Sequence, residues 1–250
     1  MDATEPCLIP LDEKDLFTFS CHPQVSCFNE CCQDLHQVLT PEDIIRLKHY
    51  LRMNSGEFLA RYTQHHDGPE TGLPVVTLKP GGPTGLLCPF VSPEGCRVYP
   101  ARPVSCRLYP VARAVTRSRE TGLLTELYAL IREPHCKGFL EGSAWDIRQW
   151  IENQLDTDML SSGDRMMSII SLKNQHKPGP LDIVSKRLFH LACYDVDGLR
   201  EKVLSKSMPG NFQVDARRLD AARTDDWALL EIGYEWVCKI LLAPEETSPP

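Results

Sequence analysis

Apolar residues recur along this chain with two different periods, and the periods divide it into stretches of different character. After Thr40-Pro41-Glu42-Asp43, which supplies an N-cap, a first-turn proline and two acids, the apolar positions Ile44, Ile45, Leu47 and Leu51 repeat at helical spacing. Ser55 is placed to cap a second short helix carrying Phe58, Leu59 and Tyr62, which ends near the loop HHDGPETG. The run VVTL before PGGPTG reads as a strand and a turn. Cys88 to Pro110 is so rich in proline that the pattern predicts an irregular loop pinned by its three cysteines. Val111 to Val115 and Leu123 to Ile131 read as the strands of a hairpin closed through RSRETG.

Beyond Gly142 the period becomes helical. Trp145, Ile147, Trp150, Ile151 and Leu155 share one face, and Met159 to Leu172 continues the pattern up to a break at HKPGP. Helical spacing returns in Ile183 to Leu191, in Val196 to Leu204 and from Trp227 to Leu241. The four tryptophans, Trp145, Trp150, Trp227 and Trp236, are expected in the core of this helical part. Together the elements predict an α+β protein: an N-terminal extension over 1–16, a cysteine-rich domain with short strands and helices over 17–142, a mainly helical region over 143–243 packed on it, and a disordered tail over 244–250.

Composition narrows the function. With 250 residues and 42% of them hydrophobic, the chain has enough apolar side chains for a buried core. A net charge of -7 leaves no global basic field, so no nucleic-acid partner is expected. No run approaches the ~18 apolar residues that cross a bilayer, and the acidic start MDATEPCLIPLDEKD is unlike a secretory leader, so no membrane partner and a cytoplasmic location are expected.

That location changes what eleven cysteines mean, because reducing conditions favour metal ligation over a disulfide framework. Cys21, Cys27, Cys31, Cys32, Cys88, Cys96, Cys106 and Cys136 lie in the first 136 residues and are the candidate metal ligands. Cys193 and Cys238 fall inside apolar helical patterns and read as packing residues, while Cys7 precedes any recognisable element. The first group has the spacing C-x5-C-x3-CC. Thiolates so concentrated repel one another unless a cation compensates them, so the two cysteine groups are expected to meet, with sulfurs of the two groups within about 7 Å. Zinc sites draw on C-x2-4-C knuckles, and adjacent Cys31 and Cys32 cannot both reach one ion without strain. An iron-sulfur cluster tolerates such spacing because each cysteine meets a different iron, so a cluster is the expected cofactor and zinc the alternative. Arg97, Arg102 and Arg107 are expected to donate to cluster sulfur and loop carbonyls, Arg102 and Arg107 being the candidate cofactor-binding pair. Tyr99 and Tyr109 are expected to wall the site, and His22, His36, His65, His66 and His135 are weaker candidate ligands.

The combination of C-x5-C-x3-CC, a capped helix, C-P-F and C-R-V-Y-P-x-R-P-x-x-C-R-x-Y-P resembles the YkgJ-like cysteine-cluster family, a zinc- or iron-chelating domain, over about residues 17 to 140. Shorter relatives carry C-x2-C-x2-3-CC, so the gap after Cys21 departs from the family pattern. The resemblance implies metal binding. Some members of the wider family are flagellin lysine methylases with an iron-sulfur cluster, but no methyl-donor or substrate site can be matched here. The expected function is therefore a 4Fe-4S protein for electron transfer, redox sensing or a cluster-assisted reaction with a protein or redox partner. A zinc-stabilised interaction module and a protein-lysine methyltransferase-like enzyme remain the alternatives.

Overall fold

Each half of the fold is assembled from two segments that the sequence keeps apart. The structure is a computed structural model that describes residues 7–33, 37–118, 121, 123–156 and 159–243. One unit gathers the described residues up to Gln37 with Pro80–Asp164; the other joins Val38–Lys79 to the residues from Arg165 onward. A single boundary at 142/143 was the expectation. The chain instead changes unit at 37/38, 79/80 and 164/165, because the capped helix after Thr40 and the VVTL strand pack with the C-terminal helices. Mixed short strands and helices in both units make the protein α+β.

In the cysteine-bearing unit the expected hairpin forms from Val111–Arg117 and Leu124–Arg132. A third antiparallel strand, Cys7–Leu11, adds to it with Leu8 opposite Ile131. Sequence periodicity misses this strand because it is an exposed edge, Leu8 being 67% exposed, and only its distant partner gives it a ladder. Phe17–Phe19 pairs with Ser143–Trp145, a second strand pair without a sequence signal. Phe17, Phe19, Val111, Leu130, Phe139 and Trp150 form the core, and Phe19 meets the rings of Tyr109, Phe139 and Trp150 edge-on at 5.8, 5.2 and 5.6 Å. Trp150 Nε1 donates to the Leu108 carbonyl at 2.8 Å, which satisfies its polar edge. Trp145 and Trp150 therefore serve this core.

The proline-rich stretch is more ordered than a ligand-pinned loop. Val91–Ser92 pairs with Gly95–Cys96, Tyr99–Ala101 makes a 3-10 turn, and Val104–Leu108 forms one helical turn. Pro103 stands at the N-cap of that turn, where its missing N–H costs nothing, so the breaker acts as a starter. One close approach positions the later site. Ser20 N donates to the Gly138 carbonyl at 3.0 Å, and a Cβ on Gly138 would lie 2.6 Å from the Ser20 carbonyl oxygen. Glycine at 138 is what lets the segment after Phe19 lie against the turn that carries Cys136.

The other unit begins with the helix Pro41–Leu51, closed by a capping box in which Asp43 N donates to Thr40 Oγ1 at 3.1 Å and Thr40 N to Asp43 Oδ2 at 3.0 Å. Thr40→Ala should cost about 1 kcal/mol in a denaturant titration, while Thr40→Ser should cost little. The helix Ser55–Tyr62 follows, capped by Asn54 where Ser55 was expected. Ser55 instead donates its hydroxyl to Asp195 and its backbone N–H to Asp197, at 2.6 Å each. Pro74–Leu78 is the central strand of three, flanked by Val38–Leu39 and Thr63–Asp67. Thr63–Asp67 is an exposed edge of sequence TQHHD, whose polarity reads as loop.

The helices Ile183–Cys193, Val196–Leu204 and Asp226–Trp236 form where predicted, the last running on as a π-helical turn over Val237–Leu241. Ala216–Ala221 adds a short helix that the pattern does not show, and Ser161–His176 carries the chain between the units. Cys193 and Trp236 are buried as expected, Cys238 is half-buried, and Trp227 is 42% exposed at the start of its helix. Among the described residues no helix is long and apolar enough to cross a membrane.

Candidate metal centre

Residues 20–33 form a run of tight turns: Val25 N donates to His22 O, Phe28 N to Val25 O, Glu30 N to Cys27 O and Cys32 N to Asn29 O, each at 2.9 to 3.0 Å. Asn29, in the left-handed region at φ 71°, reverses the chain ahead of the turn Glu30–Cys32 and donates from Nδ2 to the Ser92 carbonyl at 2.9 Å. Cys88 N donates to the Cys32 carbonyl at 2.8 Å. These two bonds tie the first cysteine group to the second.

Cys21, Cys27, Cys31 and Cys136, with Tyr109 and His135, line one hollow whose free space is about 20 Å³ and whose apolar wall includes Phe19 and Val25. Lys137 N donates to Cys27 Sγ at 3.0 Å. Tyr109 Oη donates to Glu133 Oε2 at 2.8 Å, and the tyrosine lowers the pKa of the neighbouring Cys136 thiol. His135 Nε2 is buried with no hydrogen-bond partner, 3.6 Å from Glu133 Oε2. Among the described residues no three cysteine, histidine or acidic side chains converge on one point at coordination distance.

The other cysteines adjoin this set through Cys31, which is hydrogen-bonded to Cys32 and lies in the electrostatic field of Cys96. Cys96 also lies in the field of Cys88. Cys106 donates from Sγ to Gln37 Oε1 at 3.2 Å and does not line the hollow.

Burial pushes the Cys21 thiol up to about 11, and Cys31, Cys27 and Cys136 push the same way against Arg102. Cys31 is driven far above its ordinary value, first by the Cys32 hydrogen bond and then by burial. Burial also raises Cys88, Cys96 and Cys136, with Tyr109 opposing it at Cys136. Several desolvated thiolates cannot coexist here, so the thiols keep their protons until a cation replaces them. The donor set therefore fits a soft, thiophilic metal: four cysteines line the hollow beside an imidazole nitrogen that makes no hydrogen bond.

In metal-free protein the folded state holds a proton on Cys21 from the ordinary 9.0 up to about 11, where the unfolded chain has released it. The stability this group contributes is present below pH 9.0 and lost as pH rises through that window. Chelator-treated protein should thus show a denaturation midpoint that falls between pH 9 and 11. A midpoint that rises there would contradict a raised Cys21 pKa.

The arginines serve the loops. Arg97 donates to the Pro89 carbonyl at 2.6 Å, and Arg102 to the Tyr99 carbonyl at 3.0 Å and to Gln154 Oε1 at 2.8 Å. Arg107 donates to the carbonyls of Arg102 at 3.1 Å, Gln154 at 3.4 Å and Pro100. Arg102 lowers the thiol pKa of both Cys21 and Cys96, so its charge favours their ionised forms. Tyr109 walls the hollow as expected, but Tyr99 is 57% exposed and stacks on Arg102 at 3.9 Å. His22 bonds Gln24 at 2.8 Å, His65 and His66 lie on the edge strand of the other unit, and His36 falls outside the described residues. Glu133, which holds Tyr109, gives no sequence signal beyond its place near Cys136.

Residues 20–137 match the family model CxxCxxCC, "Putative zinc- or iron-chelating domain", a span that contains all eight candidate cysteines. No curated protein and no solved structure matches the chain.

Proposed function

From the match of residues 20–137 to a zinc- or iron-chelating family model, we propose that the chain carries an iron-sulfur cluster on Cys21, Cys27, Cys31 and Cys136 and serves electron transfer or redox sensing with a protein partner. One observation carries the choice of cluster: four cysteines line one hollow, yet among the described residues no three donors converge on a point. A single zinc ion draws its sulfurs to about 2.3 Å around one centre, whereas a cluster meets each thiolate at a different iron. The chain's own contribution is to hold the ligands and tune their charge. The Gly138 approach brings the segment before Cys21 against the turn that carries Cys136, the Asn29 and Cys32 bonds join the two loops, and the Lys137 N–H donates to the Cys27 sulfur.

Free space of about 20 Å³, room for a single atom-sized body, favours a second reading, a lone zinc ion that stabilises the fold. Protein purified without oxygen distinguishes the two. A brown solution absorbing near ~400 nm, with iron and sulfide that bleach on reduction, supports the cluster. A colourless protein with stoichiometric zinc supports the second reading, and protein with neither metal overturns both.

A further inference from the structure

A second group of chemistry-bearing side chains lies in the unit without the cysteine centre. The helix Ile183–Cys193 presents Ile183, Lys186, Arg187 and His190 on successive turns, and the edge strand Thr63–Asp67 brings His65 and Asp67 to the same place. Together with Pro74 they line a cavity of about 410 Å³, the size of a small-molecule site. The two imidazole rings stand 5.6 Å apart.

The charges in this cavity are unequally satisfied. Lys186 Nζ is held by Asp67 Oδ2 at 2.6 Å. Among the described residues the side chains of Arg187, His65 and His190 make no hydrogen bond or ion pair, so three residues from two elements line the cavity with their nitrogen donors unused. A guanidinium and two imidazoles form a donor set for an oxyanion with several acceptor oxygens, which phosphate supplies in three dimensions. Pro74 and Ile183 add an apolar wall that inorganic phosphate alone would leave bare.

We propose that this cavity binds a small phosphomonoester with an apolar body, its phosphate held by Arg187, His65 and His190 and its body against Pro74 and Ile183. The assignment is independent of the metal, because every residue it uses lies in the other unit. The electrostatics agree. Burial, and then His65, lower the pKa of His190 against the pull of Asp195, so the charged ring is disfavoured without a ligand and a bound dianion opposes that balance. The groups facing His190 are His65 and Asp67 from the strand, Lys186 and Arg187 from its own helix, and Tyr194 and Asp195 just after it.

The test follows the ring-proton resonances of His65 and His190 while the full chain is titrated with phenyl phosphate or inorganic phosphate. Phenyl phosphate should shift both resonances, raise the pKa of His190 and bind about tenfold more tightly than inorganic phosphate. Arg187→Ala should weaken it by about tenfold or more, and the exposed Lys202→Ala should leave it unchanged. Arg187 is itself exposed, so its variant should fold, and the melting temperature of each variant verifies this. No shift up to about 10 mM phenyl phosphate would overturn the site, as would equal weakening by Arg187→Ala and Lys202→Ala. Equal affinity for the two probes would overturn the phosphomonoester in favour of free phosphate.

Discussion

Cys31→Ser protein should purify with metal occupancy at least about tenfold below the parent, the largest loss of any single replacement in the centre. Cys31 lines the hollow with Cys21, Cys27 and Cys136, bonds to Cys32 and shares the field of Cys96, so it links the two cysteine groups. A serine hydroxyl is a harder donor that ionises far less readily, and it fails a soft metal even where it fills the same space. Two replacements set the scale. Cys193→Ala should leave metal content unchanged, because Cys193 is 0% exposed in the other unit. Cys106→Ser should keep most of the metal, because that sulfur is turned to Gln37. Metal content measured at equal folded fraction decides the matter, and a Cys31→Ser protein with the parent's metal would remove Cys31 from the centre.

Asp226→Ala should destabilise the unit that contains it by about 3–5 kcal/mol. Asp226 is buried at the start of the helix Asp226–Trp236 and accepts from Lys48 at 2.6 Å, from His49 at 2.7 Å and from Arg200. Lys48 is itself buried, and without Asp226 it keeps only Asp197 at 2.8 Å. The cost arises less from a lost attraction than from two cations left with too few partners away from water. A urea titration followed by tryptophan fluorescence reads the change through Trp227 and Trp236. The exposed pair Arg148–Glu152 gives the contrast, and Arg148→Ala should leave the midpoint where it is. A loss below about 1 kcal/mol for Asp226→Ala would mean that the network is solvated in practice.

Local chemistry was legible in the sequence wherever it was self-contained. Thr40-Pro41-Glu42-Asp43 starts a helix because the cap, the proline and the acid all act within one turn. The hairpin and the three long C-terminal helices carry their own periodicity. Cys7–Leu11 and Phe17–Phe19 were not legible, since a short strand is defined by a partner more than a hundred residues away. The unit boundary was hidden for the same reason, as the contacts that send residues 38–79 to the C-terminal helices are non-local.

At the centre the residue types were legible and their grouping was not. Cysteines beside proline, glycine and serine marked a metal site, and Cys31 next to Cys32 showed that both could not serve one ion. Spacing could not show that Cys136 joins Cys21, Cys27 and Cys31, because that depends on the close approach at Gly138. It also could not turn Cys106 to Gln37 or bring Glu133 to Tyr109.

X-ray absorption at the edge of the bound metal tests the central claim most directly, because it reads the ligand atoms themselves. With Cys21, Cys27, Cys31 and Cys136 as ligands, the shell should be sulfur at about 2.3 Å, and it should lose sulfur or vanish in Cys31→Ser and Cys136→Ser proteins. A shell of oxygen and nitrogen, or a sulfur shell untouched by both replacements, would contradict it.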